Sequence, residues 1–183
     1  VCIVPNVRIL DKGPVEWRDH YLQDLANAIR LCRANEMRVF VVVHESMGGD
    51  DRLAQQLAQD AGLRNEDIFQ SDAPLELKAI LAGAYFVLAS RFHAAIGALS
   101  SGVPTIVLGW AHKYEMMMQD FQTPEYLYGP SDTWPLLETK ITELLDPEKR
   151  AGISSRLIES KGRMRPINEA MWNDIFTLLP KGD

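Results

Sequence analysis

The feature that most constrains this chain is a set of short, continuous apolar runs: Arg38 to Val43 (RVFVVV), Tyr85 to Ala89 (YFVLA) and Thr105 to Leu108 (TIVL). A strand with one solvated face alternates polar and apolar residues. An unbroken, largely β-branched run belongs instead to a strand buried on both faces, as in parallel sheets covered by helices. Between the runs lie segments of helical spacing. The longest, Glu16 to Met37, carries Trp17, Tyr21, Leu25, Ile29 and Cys32 at three- and four-residue intervals, which makes one apolar stripe. The two kinds of segment alternate through residue 146. That pattern predicts an α/β fold with a doubly wound parallel sheet, Rossmann-like, in three α/β/α layers.

The remaining elements follow the same logic. A first strand is predicted over Val1 to Val7, and a helix capped by Asp50 or Asp51 runs to Ala61. A short strand spans Ile68 to Gln70, and Pro74 to Ala82 is a helix with proline in its first turn. A helix follows the YFVLA strand to about Ser100, and another runs from about Lys113 to Phe121. Glu125 to Tyr128 is a last short strand, before helices over Thr133 to Leu145 and Pro147 to Leu179. Pro166 is expected to bend or break the final helix, because proline lacks the amide hydrogen and crowds the preceding turn. Residues 1–183 are read as one domain, with about 147–183 as a helical extension. A chain that opens directly on a buried strand predicts a neighbouring domain upstream, and Trp172, Ile175 and Phe176 are expected to pack across domains.

Composition narrows the function classes. The net charge is -6 and no basic face offsets it, which argues against a nucleic-acid partner. The two cysteines, Cys2 and Cys32, fall on a predicted strand and a predicted helix, as buried thiols of a reducing, cytoplasmic compartment would. No apolar run approaches the ~18 residues of a membrane span, and no signal peptide opens the sequence.

In open parallel sheets, ligands bind beyond the carboxyl ends of the strands. The residues predicted there are Asn6 and Arg8 after the first strand, and His44, Glu45, Ser46 and Gly48-Gly49 after the second. Ser90, Arg91 and His93 follow the third long run, and Gly109, Trp110, His112, Lys113 and Glu115 the fourth. Three of the four histidines lie in this set; His20 lies in a helix. Ser90 is read as a helix cap, leaving free amide groups and the helix dipole to favour an anion. Arg91 adds a planar, permanently charged fork suited to phosphate or carboxylate, and His93 a hydrogen-bond or proton donor. The competing reading pairs Arg91 with a surface carboxylate and buries His93 as a satisfied histidine. HESMGGDD is likewise open, either a cleft loop with glycine freedom or a glycine turn before an acidic cap.

Other chemistries lack their signatures. There is no GxxxxGK[ST], no GxGxxG and no GxSxG in the chain. His112 and Glu115 share a helical spacing, but a lone pair does not mark a metal site, and none is expected. Met116, Met117 and Met118 are read as helix packing.

From Pro74 to about Tyr128 the chain resembles the C-terminal half of the polysaccharide pyruvyl transferase family. The resemblance rests on LELKAILAGA, on FVLAS, on Ser90-Arg91-Phe92-His93, on ALSSGVPTIVL and on GWAHKYE at Gly109 to Glu115. The family more often has leucine where this chain has Phe92. The resemblance implies a GT-B-like enzyme of two Rossmann-like halves, of which this chain is the C-terminal, donor-binding one. It implies transfer of a pyruvyl group from phosphoenolpyruvate to sugar hydroxyls, forming a ketal on a cell-surface polysaccharide or its lipid-linked precursor. The acceptor then brings peripheral membrane association, and no metal or organic cofactor is needed. The family's Arg-x-His motif falls on Arg91 and His93, as catalytic residues, with Arg8 as the second donor-site arginine. Ser90, Phe92, His44, His112, Lys113 and Glu115 complete the expected substrate wall, and acceptor recognition is expected mainly on the other half. Two rivals share the fold: a glycosyltransferase domain for a nucleotide-sugar, and a non-catalytic binding module.

Overall fold

The computed structural model describes residues 1–45 and 48–178; Ser46 and Leu179 lie outside the described residues. Six strands form one sheet: β1 (Cys2–Val4), β2 (Phe40–Val43), β3 (Ile68–Gln70), β4 (Val87–Ala89), β5 (Thr105–Leu108) and β6 (Leu127–Tyr128). Their order is β3-β2-β1-β4-β5-β6 and every neighbouring pair is parallel. The register places Ile3 opposite both Val41 and Leu88, and Leu88 opposite Ile106, so one buried apolar row crosses the sheet.

The helices are α1 (Arg8–Lys12), α2 (Glu16–Ala34), α3 (Asp50–Ala61), α4 (Pro74–Ala82), α5 (Phe92–Leu99), α6 (His112–Asp120), α7 (Trp134–Leu145) and α8 (Pro147–Leu178). Helix α2 packs against α3 and α7, while α4 packs against α5. Winding runs one way from β1 to β3 and the other way from β4 to β6. Right-handed crossovers then put α2 and α3 on one face and α4 and α5 on the other. This is the doubly wound, three-layer α/β/α arrangement that the sequence predicts. The reversal lies between β1 and β4, and there the cleft opens.

The elements differ from expectation mainly at their ends. Strand β1 stops at Val4 because Pro5 has no amide hydrogen for the ladder. The residues after it turn into α1, an element the sequence reading did not contain; Asn6 Oδ1 accepts the Arg8 amide at 3.0 Å and starts that turn. Helix α2 ends at Ala34, three residues early, because Glu36 takes φ 60 and the Met37 amide folds back on the Cys32 carbonyl. Helix α8 runs through Pro166 without a break. Its last packed side chain is Met164; residues 165–178, including Trp172, Ile175 and Phe176, are all exposed.

Both cysteines are buried and free, and burial pushes the Cys32 thiol up to about 12. Neither is a thiolate near neutral pH, so neither supplies a nucleophile. Among the described residues no helix is long and apolar enough to cross a membrane.

Candidate functional site

The floor of the cleft is a polar seam stitched across the β1–β4 junction. Ser90 follows β4 and is fully buried. Its hydroxyl accepts from the Tyr21 phenol at 2.8 Å, and that phenol oxygen accepts the Asn6 amide at 3.0 Å. The Ser90 carbonyl accepts from Asn6 Nδ2 and from the Tyr114 hydroxyl, each at 3.1 Å. Residues from α2, the β1 loop and α6 thus converge on one backbone position. Burial holds the Tyr21 and Tyr114 phenols above their ordinary range, so both stay neutral donors. Gly109 lets Tyr114 in, since a Cβ there would lie 2.5 Å from the tyrosine ring.

Ser90 is therefore not a helix cap. The cap position of α5 is Arg91, with no side-chain cap bond, and the Ser90 hydroxyl is committed inside the seam. Asp50 does not cap α3 either. Gly49, at φ 96, occupies that position, and the buried Asp50 carboxylate reaches across the cleft to Arg91. Arg91 Nε and Nη2 donate to Asp50 Oδ2 and Oδ1, both at 2.7 Å, and Nη1 donates to Glu45 at 2.9 Å. Asp50 Oδ1 also accepts the Val7 amide at 3.0 Å, tying the β1 loop to the same clamp. Burial lowers the Arg91 pKa, but the bonds and charge of Asp50, joined by Glu45, outweigh it and hold the guanidinium above its ordinary value. The arginine is paired, but its bidentate partner is the buried Asp50; only Glu45 is the surface carboxylate that one of the two readings of the sequence has. Three of its five N–H groups are used, which leaves one on each Nη.

Over this floor lies a cavity of about 550 Å³ at the switch point. Asn6 and Arg8 line it from the β1 end, His44 and Glu45 from β2, Arg91, Phe92 and His93 from β4, and Trp110, Lys113 and Tyr114 from β5. Among these charged side chains, Arg8, Arg91 and Lys113 face a single carboxylate, Glu45. Arg8 leans on Asp11 at 2.7 Å while staying substantially exposed. The Lys113 ammonium sits 4.8 Å from the Phe92 ring centroid, and that ring meets Tyr114 edge-on at 5.4 Å. Burial, and then the neighbouring Arg91 and His93, hold the His44 imidazole below its ordinary value of 6.5. His93 is exposed, contrary to the reading that buries it as a satisfied histidine.

The structure thus gathers Arg8, His44, Arg91, Phe92, His93 and Lys113 on one wall. It sets apart three other residues singled out in the sequence. Ser90 lies beneath the wall. His112 and Glu115 pair with each other at 3.0 Å on the exposed side of α6, with side chains 79% and 55% exposed, and neither lines the cavity. Helix α6 starts at His112, and its inward face belongs to Tyr114 rather than to His112 or Glu115. Asp50 and Tyr114 are not among the site residues predicted from the sequence: Asp50 reads as a helix cap, and Tyr114 is not singled out within GWAHKYE.

A second cavity, of about 570 Å³, opens beside the first toward β3. His44, Glu45 and His93 line both and form the partition between them.

Among known families, residues 4–112 match a family model described as polysaccharide pyruvyl transferase. The matched span runs from the last residue of β1 to the first of α6, and contains Asn6, Arg8, His44, Glu45, Asp50 and Arg91 through His93. No curated protein matches the chain.

Proposed function

The chain belongs to the polysaccharide pyruvyl transferase family, whose model covers more than half of it, and from that premise we propose that its switch-point cavity holds phosphoenolpyruvate. The family is one of transferases in polysaccharide synthesis. The reading beyond that rests on one observation: Arg8, Arg91, Lys113 and His93 converge on a single cavity at the sheet's reversal. A small donor carrying both a phosphate and a carboxylate needs several cationic donors at close range, and this wall supplies three.

In the proposed reaction, C3 of the enol takes a proton and C2 becomes oxocarbenium-like. One sugar hydroxyl adds to C2 and loses its proton; the C2–O bond to phosphate then breaks with its electron pair. A second hydroxyl of the same sugar closes the ketal. Two hydroxyl protons are released, one balancing C3 and one the departing phosphate, so the products are the ketal and hydrogen phosphate. Arg91, Arg8 and Lys113 stabilise charge on the leaving phosphate. Asp50 holds Arg91 from behind, while the half-exposed Glu45 is the carboxylate an incoming anion displaces.

Two roles fit His93: proton donor to C3, and hydrogen-bond donor to the phosphate. A His93→Asn variant separates them, since loss of turnover at unchanged donor affinity identifies the acid. The acceptor is a saccharide or lipid-linked saccharide, met in the cytoplasm at the membrane surface. This chain acts as the donor-binding half, and the scheme requires neither metal nor organic cofactor.

Isothermal titration with phosphoenolpyruvate and, separately, UDP tests the assignment. Phosphoenolpyruvate is expected to bind, with Lys113→Ala and Arg91→Ala each weakening it about 10- to 100-fold through loss of charged hydrogen bonds. UDP binding without phosphoenolpyruvate binding overturns the assignment in favour of a nucleotide-sugar site.

A further inference from the structure

The second cavity differs in chemistry from the first although the two share a partition. Its floor is aliphatic, made by Val43, Pro74, Leu77 and Leu81, with Gly97 leaving room where α5 passes. Its rim carries Gln70, Asp72 and Lys78, all exposed. No hydrogen bond or ion pair to another described residue engages those three side chains, whereas Ser71 on the same rim is already bonded to Glu76 at 2.6 Å. Among charged lining residues, Lys78 faces Glu45 and Asp72, one cation against two carboxylates. Across the partition the balance is three against one the other way.

That lining selects against several ligand classes. A phosphate or diphosphate would find one cation, Lys78, offset by Asp72, and a Glu45 already held by Arg91. A nucleobase would find no Phe, Tyr or Trp ring to stack on, only the two imidazoles of the partition. A neutral ring with one apolar C–H face and a rim of hydroxyls matches both the floor and the unengaged amide, carboxylate and ammonium groups. From this we infer that the second cavity is a saccharide subsite, seating one neutral pyranose ring with an edge turned toward the His44–His93 partition.

The inference rests on the proposed donor site, because it gives the partition its meaning. Ketal formation needs two hydroxyls of one sugar brought to a single carbon. A ring seated in the second cavity presents its edge across His93 to the donor. Part of acceptor recognition then lies on this chain, close to the chemistry.

The test follows amide chemical shifts of the chain while methyl gluco-, galacto- and mannopyranosides are titrated, with phosphoenolpyruvate titrated in a separate arm. At least one pyranoside is expected to shift residues 70–81 and Gly97. The double variant Gln70→Ala, Asp72→Ala is expected to weaken that binding about tenfold, from the loss of its rim hydrogen bonds. Both positions are exposed, so the variant should keep its fold, and its phosphoenolpyruvate affinity should stay within about twofold, well inside a single hydrogen bond's worth. If no pyranoside shifts these residues, or the double variant binds as the parent does, the saccharide subsite is overturned. UMP shifting residues 70–81 in place of the sugars overturns it too. The phosphoenolpyruvate arm reads the donor assignment by itself: failure there with pyranoside shifts intact removes the donor reading and leaves the sugar-binding cavity standing.

Discussion

Asp50 and Arg91 stand or fall together. The carboxylate is fully buried, the arginine side chain 14% exposed at the cavity, and two 2.7 Å bonds join them. Replacing Asp50 with alanine leaves the largely buried Arg91 charge to the half-exposed Glu45 alone and the Val7 amide without its acceptor. Such a break costs about 3 kcal/mol, the low end for a broken buried pair, because Glu45 remains. Urea unfolding should register that loss for Asp50→Ala. Adding Arg91→Ala to the same variant should cost little more, because the second change removes the Arg91 charge. A double-mutant cycle that came out additive would mean the two side chains do not interact in solution.

At the scale of elements, α8 combines two regimes. Up to Met164 it packs on the core through Ile153 and Leu157; beyond it every described side chain is exposed, Ile167, Trp172, Phe176 and Leu178 among them. The sequence reading expected Pro166 to bend or break the helix, and there is no break. Pro166 still removes one backbone bond and crowds the Gly162 carbonyl, a penalty of about 3 kcal/mol relative to alanine in a helix interior. Pro166→Ala should therefore raise helicity by circular dichroism and slow amide exchange over residues 161–178. The global unfolding midpoint should stay unchanged, because the distal turns bury nothing against the fold. A shift in that midpoint would show that the distal turns do pack.

For the molecule as a whole, the cleft imposes a pH dependence on stability. His44 is held below 6.5, first by burial and then by Arg91 and His93, against the opposing pull of Asp50 and Glu45. Above 6.5 the imidazole is neutral both folded and unfolded, and its contribution is intact. As pH falls from 6.5 through the lowered folded value, the unfolded chain takes up a proton that the folded chain resists, and stability is lost. His44→Gln should flatten this part of the stability profile below pH 6.5, measured by urea midpoints. An unchanged slope would place the titration elsewhere.

The fold class was legible in the residues because burial on both faces leaves unbroken apolar runs, and helix stripes between them dictate parallel crossovers. Strand β5 and helix α4 matched their sequence boundaries for that reason. The family resemblance was legible in Ser90 through His93 and its flanks, and the family match bears it out. What the sequence by itself determined was therefore local: periodicity, turn chemistry, and which polar residues end up at strand termini. Tertiary structure alone decided which of those residues meet. Asp50 lies 41 positions from Arg91 and Tyr21 lies 69 from Ser90, so no local signal could pair them. It also decided which way α6 turns, sending Tyr114 inward and leaving His112 and Glu115 in solvent. A helix's rotation about its axis is set by what it packs against, and the packing partner, the Gly109 backbone over the Ser90 seam, exists only once the sheet has closed.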